Sequence, residues 1–122
     1  MPYDYIVQVI EQFAQLIARL GGLRDEKRYD EAEEAIGDAL NGAFGPLLET
    51  LDALAPQRVP ALIDNPEKLA LYCSLLRETA HIASDRGDAS RAQRLVLRAM
   101  AIERAAATAA EHEPTSGPGS RV

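Results

Sequence analysis

Few residues in this chain are able to do chemistry. It has one cysteine, Cys73, and two histidines, His81 and His112, in 122 residues. A cysteine nucleophile needs a base whose side chain converges on its sulfur. His81 lies two helical turns beyond Cys73, but it projects among polar positions, while Cys73 sits at the edge of an apolar arc. The spacing therefore predicts a buried thiol and a surface imidazole. Asp85 follows His81 by four residues, a helical pair of the weak, solvated kind. His112 stands apart beside the carboxyl-terminal tail, and two histidines so placed make a poor metal site.

The acids Asp30, Glu31, Glu33, Glu34 and Asp38 have the types a divalent cation needs. They lack the glycine-turn spacing of a calcium loop and the Glu-x-x-His of a di-iron bundle. A solvated helix face near the positive end of a helix dipole accounts for them. The chain has no phosphate-binding loop, no Gly-x-Ser-x-Gly and no dinucleotide fingerprint. The expectation is a non-enzymatic protein with no catalytic residues, no metal and no cofactor.

Composition narrows the classes further. The chain is 47% hydrophobic and 26% charged, as in ordinary globular proteins. Aromatic residues make up 5% and tryptophan is absent, so the core must come from Leu, Ile, Val and Ala. The net charge of −6 argues against a nucleic-acid partner, whose binders carry a basic footprint. No segment reads as a signal peptide or reaches membrane-spanning length, so a cytoplasmic location away from membranes is expected. A single cysteine excludes an internal disulfide framework.

The elements that must position these residues are helices. Ile6, Val9, Ile10, Phe13, Leu16, Ile17 and Leu20 recur at steps of three and four, with Asp4 placed to cap the start. The apolar arc also takes in Tyr5, Val7, Ala14 and Ala18, wider than one neighbouring helix would cover. Gly21-Gly22 offers one stop for this helix; the internal comparison below places the turn at Lys27-Arg28. A second helix is expected from Asp30, with Asp30 and Glu33 spaced as a capping box, to Phe44 before Gly45-Pro46. Residues 47–63 read as two short helical pieces broken by Pro56 and Pro60. Asn65-Pro66-Glu67 is a start signal for the next long helix, which runs to about Arg86. Gly87 closes it, and Asp88 caps a last helix that turns Ala92, Leu95, Val96, Ala99 and Met100 inward. Glu103 points with that stripe, so either an arginine reaches it or the core ends near Met100. A single domain over 1–112 and a disordered tail over 113–122 complete the reading.

Sliding the chain by sixty residues overlays Leu16 on Leu76, Ala32 on Ala92, Ile36 on Val96, Ala39 on Ala99 and Leu40 on Met100, with Lys27 on Gly87. Small residues late in a helix, a tight turn, then alanines at fixed steps allow close hairpin packing. The stretch Lys27 to Ala32 with Ile36 and Ala39, and Gly87-Asp88 with Ala92, Val96 and Ala99, resemble the second-helix half of a tetratricopeptide motif. The opening Asp4-Tyr5-Ile6, Ile10-Glu11-Gln12-Phe13 and Lys27 to Ala32 are similar to a family of small tetratricopeptide-like bacterial proteins without an assigned activity. The resemblance implies an all-α, right-handed array of two antiparallel helical hairpins with a short helical insert, about five helices in all. It supplies no site residues.

The expected function is protein–protein interaction, as a scaffold or adaptor that self-associates as a homodimer. The candidate surface comprises Ile6, Val9, Ile10, Phe13 and Ile17 of the first helix and Arg91, Arg94 and Arg98 of the last. The arginines stand out because residues 24–52 are strongly acidic and residues 77–104 carry an excess of arginine, so an acidic surface would suit them. The alternative is a small-ligand or regulatory module, with a pocket between the hairpins lined by Tyr5, Phe13, Tyr29 and Tyr72.

Overall fold

A computed structural model describes residues 2–63 and 65–111, with the side chains of 7–63 and 65–110. The side chains of Tyr5 and Ile6, together with His112 and the tail 113–122, lie outside the described residues. The described chain holds six α-helices and no strand: α1 (Pro2–Asp25), α2 (Tyr29–Phe44), α3 (Leu47–Ala53), α4 (Val59–Leu62), α5 (Pro66–Asp85) and α6 (Ala89–Glu111). A 3-10 turn at Pro56–Arg58 leads into α4. Two short helices, α3 and α4, occupy the stretch read as two short pieces, with Pro56 opening the 3-10 turn and Pro60 lying inside α4, so the described total is six where about five were expected.

Helix α1 runs through Gly21-Gly22 to Asp25. Both glycines have no heavy atom within 4 Å of an added Cβ, so neither is there for close packing. The chain turns at Lys27, whose φ of 61° is left-handed. Arg28 N donates to Leu23 O at 2.8 Å and Lys27 N to Arg24 O at 2.9 Å, the paired bonds that close a helix end. Sixty residues on, Asp88 N donates to Ala83 O at 2.8 Å and Gly87 N to Ser84 O at 3.0 Å, with Gly87 at φ 88°. The repeat seen in the sequence is thus a repeat of turn geometry.

Two expected caps differ. Helix α1 starts at Pro2, so Asp4 lies inside it; proline suits a first helical position because the amide it lacks has no helical partner. Helix α2 starts at Tyr29 directly after the left-handed turn, its N-cap Arg28 making no side-chain cap bond. Asp30 therefore sits in the first turn, where its carboxylate accepts from Arg86 Nη1 at 3.0 Å. The other caps form as expected: Asn65 Oδ1 accepts from Lys68 N at 3.0 Å and Asp88 Oδ1 from Arg91 N at 3.1 Å.

Helix α5 is central, packing on α1, α2 and α6. On one side Leu71, Leu75 and Ile82 meet Leu20 and Leu23 of α1 and Ala32, Ala35 and Ile36 of α2. On the other, Tyr72, Cys73 and Leu76 meet Ala99 and Ile102 of α6 and Leu51, Val59 and Ile63 of the segment after α2. That segment is therefore core: Leu51 and Val59 are fully buried. The inward stripe of α6 also differs from expectation. Ile102 is fully buried and Met100 is 43% exposed, so the core runs on past Met100 along Leu95, Ala99 and Ile102.

Candidate functional site

Cys73 is buried between α5 and α6. Burial foremost, and then the Glu103 carboxylate, push its thiol up to about 11, against opposing help from Arg77 and Arg98. At neutral pH it is a protonated, apolar packing group. His81 is exposed in a groove between α5 and α6 with Ser84 and Gln93, away from the cluster that holds Cys73. Asp85, its expected helical partner, instead accepts from Arg24 Nε at 2.9 Å. No group of three His, Cys, Asp or Glu side chains able to hold a metal occurs among the described residues.

Three acids of the first half of α2, Asp30, Glu31 and Glu33, are engaged by arginines of the same chain. Arg86 Nη1 lies 3.0 Å from Asp30 and 3.5 Å from Glu33, and Arg91 reaches Glu33 at 3.9 Å. The Arg86 guanidinium also lies 5.8 Å from the ring centre of Tyr29. With the Arg24–Asp85 pair, these contacts lace the turn end of the first hairpin to the turn end of the second. The three candidate arginines of α6 have separate surroundings. Arg91 leans to Glu33, and Arg94 donates to Ser90 Oγ at 2.9 Å. Arg98 turns inward and donates to Leu54 O at 2.8 Å and Leu51 O at 2.6 Å, satisfying the last carbonyls of α3. Arg77 makes a two-pronged pair with Glu103, its Nη2 at 2.9 Å from Oε1, and this holds the carboxyl below its usual range. An arginine does reach Glu103.

Of the four aromatic residues suggested for a pocket, Tyr72 is wholly buried, edge-on to Phe44 with ring centres 5.7 Å apart. Its hydroxyl donates to Asp52 Oδ1 at 2.7 Å, and burial with that bond pushes its pKa up to about 12. Phe13 does line an opening. A cavity of about 400 Å³ lies where α1, α2 and α5 diverge, walled by Val9, Phe13, Leu16, Ala39, Ala43 and Leu71, with Gln12 and Lys68 as polar groups. A second cavity of about 400 Å³ lies on the far side of Lys68, against Phe44, Leu47, Leu62 and Ile63. The Lys68 ammonium between them donates to Ala43 O at 3.2 Å. The sequence pattern missed this lysine because its role follows from where α2 ends, which the pattern of α5 does not encode.

The candidate residues of α1 divide between two directions. Leu20 and Leu23 are buried, and Phe13, Leu16 and Ile17 pack partly against the core. Ile10 is 53% exposed, Ala14 and Ala18 are exposed, and Val7 and Val9 are half-buried. The wide apolar arc is thus incompletely covered within one chain. On α6, Leu97 is 54% and Met100 43% exposed. No helix among the described residues is long and apolar enough to cross a membrane. Nothing among protein-family models, curated proteins or solved structures matches the chain.

Proposed function

We propose that this chain is a non-enzymatic protein-interaction domain, tetratricopeptide-like in arrangement, that associates with itself. The observation that carries the reading is the apolar surface that α1 leaves uncovered: Ile10 is more than half exposed, with Ala14 and Ala18 beside it. Isolated exposed apolar residues need no explanation, but a run along one helix marks a contact surface. The matching turns at Lys27 and Gly87 support the repeat arrangement, and a two-hairpin array is short for stability on its own. The buried, protonated Cys73 and the pairing of Asp30 and Glu33 with Arg86 favour a binding role over a chemical one. Sedimentation velocity across micromolar concentrations is the test. Concentration-dependent dimer formation is expected, and a monomer throughout would contradict it.

A second reading has its own support in the cavity bounded by Phe13, Ala39 and Leu71, whose volume of about 400 Å³ falls in the range of small-ligand sites. Under that reading the domain is a regulatory module. Thermal melts of the same samples with added metabolites separate the two, since only a pocket predicts a selective rise in melting temperature.

A further inference from the structure

Lys68 stands between the two cavities described above and lines both of them. Among the described residues it is the only charged side chain in either lining, and neither lining includes a carboxylate. In a chain with 19 acidic and 13 basic residues, an opening that holds a cation and no acid is electrostatically unlike the average surface. Among the described residues Lys68 enters no ion pair, whereas Arg24, Arg28, Arg77, Arg86 and Arg91 all do. Its ammonium donates to Ala43 O at 3.2 Å, a neutral acceptor. That contact leaves the positive charge uncompensated and further N–H groups for a second partner. Lys68 also lies in the first turn of the 20-residue helix α5, whose positive end adds to its field.

The walls of the cavity beside α1, α2 and α5 are of the opposite character. Val9, Phe13, Leu16, Ala39 and Leu71 offer no side-chain hydrogen bond, so the space between them suits hydrocarbon. From this juxtaposition we infer that the cavity binds a small monocarboxylic acid with an unbranched hydrocarbon tail. The carboxylate pairs with the Lys68 ammonium, and the tail lies against Phe13, Leu16 and Leu71. The inference rests on the small-ligand reading of this cavity and names the class of ligand. A single cation selects a singly charged anion, since a phosphate ester or dicarboxylate brings more charge than one lysine offsets. The apolar walls select a hydrocarbon tail over a sugar or nucleotide, whose hydroxyls would be buried without partners. A volume of about 400 Å³ is near the small end of ligand sites, which fits a tail of medium length.

Titration calorimetry of the full chain with hexanoate, octanoate, decanoate and the neutral 1-octanol is the test. Each methylene added along the acid series should tighten binding about fourfold until the cavity is full. Lys68→Met removes the charge at similar length and should weaken octanoate about tenfold or more while leaving 1-octanol unchanged. Ala39→Leu puts a larger side chain into the cavity and should weaken acid and alcohol alike. Thermal melts of both variants without ligand establish that they are folded, and Lys68→Arg, which keeps the charge, should retain octanoate binding within a few-fold. Octanoate binding that survives Lys68→Met, or that 1-octanol matches in the wild-type chain, would overturn the carboxylate assignment. Binding insensitive to Ala39→Leu would overturn the location. No binding of any acid, alongside a selective shift with another metabolite in the melts above, would overturn the ligand class and leave the pocket reading standing.

Discussion

Lys27 and Gly87 occupy the same turn in the two hairpins, with the same pair of backbone bonds closing each helix. Both are left-handed, at φ 61° and 88°, a region in which a β-carbon crowds the following carbonyl. Lys27 therefore carries a strain that Gly87 does not. Lys27→Gly is expected to stabilise the chain by about 1 kcal/mol and Gly87→Ala to destabilise it by about the same amount. Urea unfolding of the two variants checks the pair, and equal and opposite shifts are the expected outcome. The turn itself was legible in the sequence, since the sixty-residue offset laid Lys27 on Gly87 and pointed past Gly21-Gly22. The caps at Asp4 and Asp30 were misread for a physical reason. A capping residue is recognised by its type, but a proline start or a left-handed turn upstream can begin the helix earlier and leave the acid inside it. Arg98 was read as surface for a similar reason: its partners, Leu51 O and Leu54 O, are the ends of a helix far away in sequence.

Among the elements, the stretch between the hairpins departs most from its appearance. It reads in the sequence as a short helical insert broken by prolines, with no sign of how deep it lies, and Leu51 and Val59 are fully buried in the core it shares with α5 and α6. Leu51→Ala is expected to cost about 2–5 kcal/mol. Leu62→Ala, at a side chain 40% exposed, should cost under about 1 kcal/mol. Chemical denaturation followed by circular dichroism measures both, and a small effect at Leu51 would mean that the connector is not part of the cooperative core. The long helices α1, α2, α5 and α6 were legible from their periodicity to within a few residues. The facing of α6 was less so. Val96 and Met100 fit an apolar stripe as well as Leu95 and Ile102 do, and an alanine-rich helix gives little contrast between faces. The choice is made by long-range partners, with Arg77 drawing Glu103 to one side and Arg98 reaching α3 on another.

The molecule as a whole has two unlike ends. At the hairpin turns, Arg24, Arg86 and Arg91 tie α1 and α2 to the second hairpin through Asp85, Asp30 and Glu33. This charge asymmetry was visible in the sequence as an acidic first half and an arginine-rich second half, but the pairing inside one chain was not. At the other end cavities bordered by Lys68 open beside α1, α2 and α5, and Ile10, Ala14 and Ala18 of α1 are exposed. The over-wide arc was plain from composition along the helix; which of its residues turn inward, Leu20 and Leu23 above all, and which stay exposed, such as Ile10, needed the packing partners to be known. The central claim is that this exposed face of α1 is a contact between copies. Amide hydrogen exchange along α1, compared between dilute and concentrated solutions, tests it most directly. The account predicts that amides from Val7 to Ile17 exchange more slowly as concentration rises, while those of α5 hold steady. Exchange in α1 that does not change with concentration, or protection that appears elsewhere in its place, would contradict it.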